Sequence, residues 1–236
     1  NYSRKRKRDI TNMNKLSHVA FIMDGNGRWG KKVKRGRNYG HLKGVETVKK
    51  VVEGSIRFKI KHLTFYVFST ENWKRPKSEI KYLFKLIFLY FTKELKHVIK
   101  NGIKISIIGN INPLPSKLKK LLKNVEKKTN KNKMINVNLA LNYGSRDEII
   151  RTIKKIKNVN KISEKAITSN LFTKNVPEPE ILVRTGGRKR LSNFMLWQLA
   201  YTEIFFLDKL WPDFRISDLR KIVNKYKKTK RNFGSL

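Results

Sequence analysis

Short apolar runs punctuate the chain, and each gives way abruptly to polar residues or glycine. HVAFIM over 18–23 and HLTFYVF over 62–68 are the clearest. Runs rich in β-branched and aromatic residues, bounded by turn formers, predict buried strands. By this reading strands lie at 18–23, 62–68, 103–109, 134–142, 180–184 and 202–207. Between them apolar residues return every third or fourth position. Val45, Val48, Val51, Val52 and Ile56 predict a helix over 44–58. The same spacing predicts helices over 78–100, 116–128, from Asp147 onward, 163–174 and 216–228. Such alternation implies one α/β domain, a central, mostly parallel sheet flanked by helices on both faces. The pattern shows no internal repeat, linker or second domain.

The helix over 78–100 is unlike the others. Ser78 can cap its start and Asn101-Gly102 marks its end. Leu86, Ile87, Phe88 and Leu89 follow one another at its middle, too many apolar side chains for one stripe. Its middle is expected to be apolar on more than one side, either facing the sheet and an apolar cavity or partner subunit, or forming ordinary double-sided core. At ~1.5 Å per residue it would be about 30 Å long, enough to line a deep cleft.

Composition adds an extreme charge. Lys and Arg number 56 against 17 Asp and Glu, a net +39. That balance points to nucleic acid or an anionic membrane surface as a partner. The lysines are scattered rather than gathered into a stripe, so a compositional bias toward Lys, Asn and Ile is the better account of them. No nucleic-acid motif is recognised, and the aromatics sit in apolar runs rather than among basic residues, so nucleic acid is not expected as a partner. The basic head, residues 1–15 with RKRKR, is expected to be a solvated tail ahead of a folded domain over 16–236. The chain has no cysteine, which excludes disulfides, thiolate metal sites and a cysteine nucleophile. No stretch reaches the length of a membrane span and no signal peptide is visible.

Candidate chemistry clusters just beyond the predicted strands, where open α/β sheets bind ligands. The first strand ends in Asp24, Gly25, Asn26, Gly27, Arg28 and Trp29, read as a loop. Asp24 is a hard oxygen ligand of the kind Mg²⁺ takes, the glycines allow close backbone approach, and Arg28 is a fork for phosphate oxygens. A turn with a solvated Asp and Arg would look the same. RGRNYGHLKG over 35–44 leads into the next helix and sets Arg37 and His41 near a helix N-terminus, which attracts anions. Ser69, Asn72 and Arg75 follow the second strand. Arg184, Arg188, Lys189 and Arg190, with Gly186-Gly187, Ser192 and Asn193, follow the fifth and are read as opening a helix. These four basic side chains suit one diphosphate. Glu203, at the start of the last strand, is the second acid aimed at a shared metal. The glycine pattern is not GxGxxG, which argues against a nucleotide-binding dehydrogenase.

Taken together, HVAFIMDGNGRWG, GHLKG, FSTENWKRP, NYGSRDEI, ILVRTGGRKRLSNFMLWQLAYTEIFF and WPDF resemble the cis-prenyltransferase family, in the family's order from residue 18 to 214. The resemblance implies a non-Rossmann α/β fold with an apolar tunnel, usually as a homodimer. It implies repeated cis addition of isopentenyl diphosphate to an allylic starter such as farnesyl diphosphate, with Mg²⁺, to make undecaprenol- or dolichol-type carriers. By position, Asp24 would organise Mg²⁺ with Glu203. Gly25, Asn26, Gly27, Arg28, Trp29, Arg37, His41 and Arg75 would bind the allylic diphosphate. Arg184, Arg190 and Ser192 would hold isopentenyl diphosphate, and Ser69 and Asn72 would position the reacting carbons or remove a proton. Such an enzyme is expected in the cytoplasm or as a peripheral protein of the endoplasmic reticulum. Three departures stand out: Arg188 where the family has Glu, Glu180 where it has Asp, and Asn232 where an Arg-x-Gly element is expected. A catalytically silent subunit is a further reading, against which Asp24, Arg28, Arg184 and Glu203 argue.

Overall fold

A computed structural model describes residues 16–229. The basic head and the stretch 231–234 that contains Asn232 lie outside the described residues. Six strands, β1 (His18–Ile22), β2 (His62–Ser69), β3 (Ile103–Ile108), β4 (Ile135–Tyr143), β5 (Ile181–Arg184) and β6 (Glu203–Phe206), form one sheet in the order β3-β4-β2-β1-β5-β6. Every pairing is parallel. The order differs from the dinucleotide-binding 3-2-1-4-5-6, so the non-Rossmann expectation holds. Both faces of the sheet are covered, which is why β1 and β5 read as unbroken apolar runs.

Among the described residues seven helices pack around it: α1 (Asn26–Lys32), α2 (Gly36–Arg57), α3 (Lys77–Lys100), α4 (Ser116–Thr129), α5 (Ser145–Lys155), α6 (Glu164–Thr168) and α7 (Ile216–Lys228). The larger core holds Phe21, Phe65, Leu141, Val51, Phe84, Trp211 and Leu219. A smaller core on the opposite face holds Ala20, Ala140, Leu182, Phe194 and Met195.

Four sequence expectations need correction. Residues 26–29 are helical, not a loop. Gly25 turns the chain at φ +111°, and α1 is too short to show periodicity. The stretch 36–44 is likewise the first turns of α2. The glycines here serve helix packing: a Cβ on Gly30 would meet Gly36 O at 2.1 Å, and one on Gly40 would meet Asn26 O at 1.9 Å. Ser78 does not cap α3, which starts at Lys77 behind Pro76 with no side-chain cap. Finally, residues 185–202 do not open a helix. Gly186, Gly187, Ser192, Asn193 and Met195 all have positive φ, and the segment runs as turns across the sheet's smaller core.

Candidate active site

The carboxyl ends of β1, β2 and β5 meet at a cleft of about 640 Å³. Its lining includes Asp24, Gly25, Asn26, Gly27, Arg28, Arg37, His41, Ser69, Asn72, Arg75, Arg184, Arg190 and Ser192. Residues separated by as much as 168 positions therefore converge, because parallel strands end on one edge.

Two carboxylates organise the cations. Asp24, carried beyond β1, receives Arg28 on one oxygen (3.1 Å) and Arg184 on the other (3.1 Å). Its main-chain carbonyl accepts the Thr185 hydroxyl at 2.8 Å and the Trp211 N–H at 3.1 Å, which fixes the bend. Arg28 also donates to Gly186 O at 2.8 Å. Arg184 is only 3% exposed. It donates to Ser192 Oγ at 2.8 Å and to the Arg190 carbonyl, so β5 and the 185–202 segment are tied to one guanidinium. Burial lowers the Arg184 pKa below its ordinary value against the pull of Asp24. Its Nε, buried, has no protein partner.

The second carboxylate was not foreseen. Glu79, on the first turn of α3, takes Arg37 through two bonds (3.0 and 2.9 Å) and Arg75 at 3.1 Å, with His41 Nε2 at 3.2 Å. The Arg37 hydrogen bonds hold the Glu79 carboxyl at about 2, against the upward push of burial. Burial lowers the pKa of His41 despite Glu79. Arg75 is extended and precedes Pro76, ahead of the helix that carries Glu79, so no helical i,i+4 spacing in the sequence signals the pair.

Ser69 ends β2, and its N–H donates to Asn72 Oδ1 at 3.1 Å within a single 3₁₀ turn over Thr70–Lys74. Glu71 in that turn accepts Asn193 Nδ2 at 2.8 Å, linking it to the 185–202 segment.

Two predicted site residues are elsewhere. Trp29 does not line the cleft. It stacks on Tyr39 and donates to Asp213 Oδ1 at 2.8 Å, bracing α1 against the 211–213 turn. Glu203 is in register with Ile181, at the amino end of its strand, whereas Arg184 is in register with Ile22 at the other end. Three strand residues alone separate those levels by about 10 Å. Within one chain Glu203 and Asp24 do not share a metal, because a parallel sheet sends the starts and ends of its strands to opposite edges. Among the described residues no group of three His, Cys, Asp or Glu is placed to hold a metal. Asp24 fits Mg²⁺: its side chain lines the cleft and is 29% exposed, and Mg²⁺ is commonly held by one carboxylate plus substrate phosphates and water.

Behind the cleft an apolar cavity of about 140 Å³ runs between α2, α3 and the sheet. Met23, Asn26, His41, Val67 and Leu83 line both spaces, so they adjoin. Leu86, Ile87 and Tyr90 of α3 face it, which explains the helix that was apolar on more than one side. Of β4, Val137, Leu139 and Leu141 face the cavity, while Ala140 points into the opposite core.

Comparison with known proteins agrees with this geometry. Residues 22–234 match the family model described as putative undecaprenyl diphosphate synthase. An isoprenyl transferase of Prochlorococcus marinus is 44% identical over 93% of this chain and 84% of its own. The farnesyl-diphosphate-specific ditrans,polycis-undecaprenyl-diphosphate synthase of Micrococcus luteus is 42% identical over 93% of this chain and 91% of its own. The crystal structure of lavandulyl diphosphate synthase from Lavandula x intermedia, solved with dimethylallyl diphosphate, superposes with a TM-score of 0.90 at 32% identity. It covers 94% of this chain and 99% of that one.

Proposed function

The chain belongs to the prenyltransferase family described as putative undecaprenyl diphosphate synthase and is a cis-prenyltransferase, and we propose that its domain over residues 16–236 lengthens an allylic starter, farnesyl diphosphate or a close relative, by repeated addition of isopentenyl diphosphate. The product is a polyprenyl diphosphate of the undecaprenol or dolichol type. One observation carries this reading: a cleft with two separate groups of arginines opens directly onto an apolar cavity.

Arg28, Arg37, Arg75 and the amides around Gly25–Gly27 cradle the starter's diphosphate, and its hydrocarbon enters the cavity past Met23, Val67 and Leu83. Arg184, Arg190 and Ser192 hold isopentenyl diphosphate alongside. The starter's allylic C–O bond breaks as the new C–C bond forms, and negative charge builds on the departing diphosphate. Donors already aimed there favour the transition state over the ground state. The tail's burial sets the distance between the reacting carbons. Ser69 and Asn72, at the end of β2, orient the incoming unit or assist its proton loss. Mg²⁺, held by Asp24 and substrate phosphate oxygens, would supply further neutralisation of the leaving group.

A homodimer is the assembly we favour. Ile150 and Ile153 on α5, Leu196, and Ile204 on the edge strand β6 are large apolar side chains left exposed. No helix among the described residues is long and apolar enough to cross a membrane, which suits a peripheral enzyme. Incubation with farnesyl and isopentenyl diphosphates plus Mg²⁺, followed by sizing of the lipid, tests the function. A ladder of products lengthened by whole isoprene units is expected; no lengthening would refute it.

A further inference from the structure

The cavity does not stop beneath the cleft. Its lining continues along β3 through Ile105 to Ile103, the first residue of that strand, and to Val98 near the end of α3. It thus crosses the sheet from the carboxyl edge to the amino edge. There the connections entering β2, β4 and β3 lie side by side. Asn136 N–H donates to Lys61 O at 2.8 Å, Met134 N–H to Gly102 O at 3.0 Å, and Asn132 Nδ2 to Ile103 O at 2.7 Å. These hydrogen bonds bind three loops into one base around the cavity's far end.

That base is strongly basic. Arg57, Lys59, Lys61, Lys100, Lys131 and Lys133 are all exposed on it, and the segments 57–61, 100–102 and 130–134 contain no acid. The same edge turns acidic on the other half of the sheet, where Glu178, Glu180 and Glu203 accompany β5 and β6. A compositional excess of lysine would not segregate charge this way along one edge. Ile99 and Met134, 37% and 50% exposed, sit among these cations.

We propose that this lysine collar docks the enzyme on an anionic lipid bilayer, with the far end of the apolar cavity facing the membrane. The proposal rests on the reading of the product as a long polyprenyl diphosphate. A chain growing from the cleft outruns the cavity, and the collar delivers its tail to hydrocarbon rather than water. Lysines near an anionic leaflet bind by proximity to its surface potential, and aliphatic side chains between them enter the headgroup boundary. Nucleic acid fits less well, because the exposed apolar residues here are aliphatic and offer no ring for base stacking.

Flotation of the full chain with phosphatidylcholine vesicles, with and without phosphatidylglycerol, tests this. Each lysine near such a surface contributes about fivefold. The quadruple variant Lys59→Gln, Lys61→Gln, Lys100→Gln, Lys133→Gln should therefore bind anionic vesicles about 600-fold more weakly. A control with Lys154, Lys155, Lys157 and Lys165, exposed around α5 and α6, changed to Gln should stay within about twofold of the unmodified chain. Turnover in detergent should match for all three, since none of these residues touches the cleft. If the quadruple variant loses detergent turnover, the double variant Lys100→Gln, Lys133→Gln replaces it, with a loss of about 25-fold expected in vesicle binding. Equal binding to neutral vesicles, or equal loss in the control, overturns the docking face. Tighter binding to single-stranded RNA than to vesicles at physiological salt, abolished by the collar changes, overturns the bilayer as occupant. An unmodified chain that makes no product in detergent refutes the function instead, and vesicle binding is judged apart from it.

Discussion

Glu79 and Asp24 each gather arginines at the same cleft, but in opposite ways. Glu79 is 8% exposed and meets Arg37, Arg75 and His41 at once. Its carboxyl is held at about 2 and stays ionised throughout any working pH. Asp24 has a partly exposed side chain and one arginine on each oxygen, leaving room for a further ligand from the cleft. The first carboxylate is scaffolding that keeps like charges together before substrate arrives. The second faces the place where charge changes during the reaction. Removing them should separate folding from chemistry.

The largest effect is expected at Asp24. Asp24→Asn, which keeps a side-chain oxygen for one of its two arginines, should still fold, yet lose on the order of 10²–10³ in turnover or more. Product formation at saturating Mg²⁺ measures it. Unchanged turnover would erase the contrast with Glu79.

Glu79→Gln should act mainly on stability. A carboxyl lowered from 4.5 to about 2 contributes about 3 kcal/mol at neutral pH. Its folded pKa lies below the unfolded one, so the contribution is complete above pH 4.5 and fades as pH falls toward about 2. Urea unfolding should show the unmodified chain losing stability across that window and the variant losing less. A variant as steep as the original would place the acid sensitivity elsewhere. The starter's KM should also rise, since Arg37 and Arg75 are no longer held together.

The two carboxylates also differ in how readable they were. Asp24 closes an apolar run and precedes two glycines, so its place at a strand end followed from the sequence. Glu79 is one acid in a helix, and nothing local says that Arg37, some forty residues earlier, will reach it. Likewise the strands and the parallel sheet were legible, because β1, β2 and β5 at the middle of the sheet are dominated by apolar residues. Residues 185–202 were not, since a run of positive φ at Ser192, Asn193 and Met195 has no pattern for non-glycine residues. Glu203 shows the same limit: its place in a strand follows from the apolar residues after it, but the edge it occupies depends on register with β5.

A third test contrasts the two faces of β4. Leu139→Phe narrows the cavity and should shorten the product by whole isoprene units. Ala140→Val, one residue along and fully buried on the other face, should leave product length alone while costing about 1–3 kcal/mol through overpacking. Chromatography of the products decides. Shortening by Ala140→Val would mean that hydrocarbon runs on the other side of the sheet.

The smallest effect is expected where the chain departs from its family. Arg188 is exposed and does not line the cleft, whereas Arg190 two residues on does. An exposed charge is worth up to about 1 kcal/mol, so Arg188→Glu should raise the KM for isopentenyl diphosphate by about fivefold at most. The starter's KM and the turnover at saturation should barely move, because Glu79 and its arginines stand on the far wall. Raised salt should erase the difference, as it does for solvent-screened pairs. A tenfold effect that survives salt would mean that Arg188 swings into the cleft when substrate binds. The Asp24 side would then be the adaptable half of the site, with its cations completed by the ligand rather than before it.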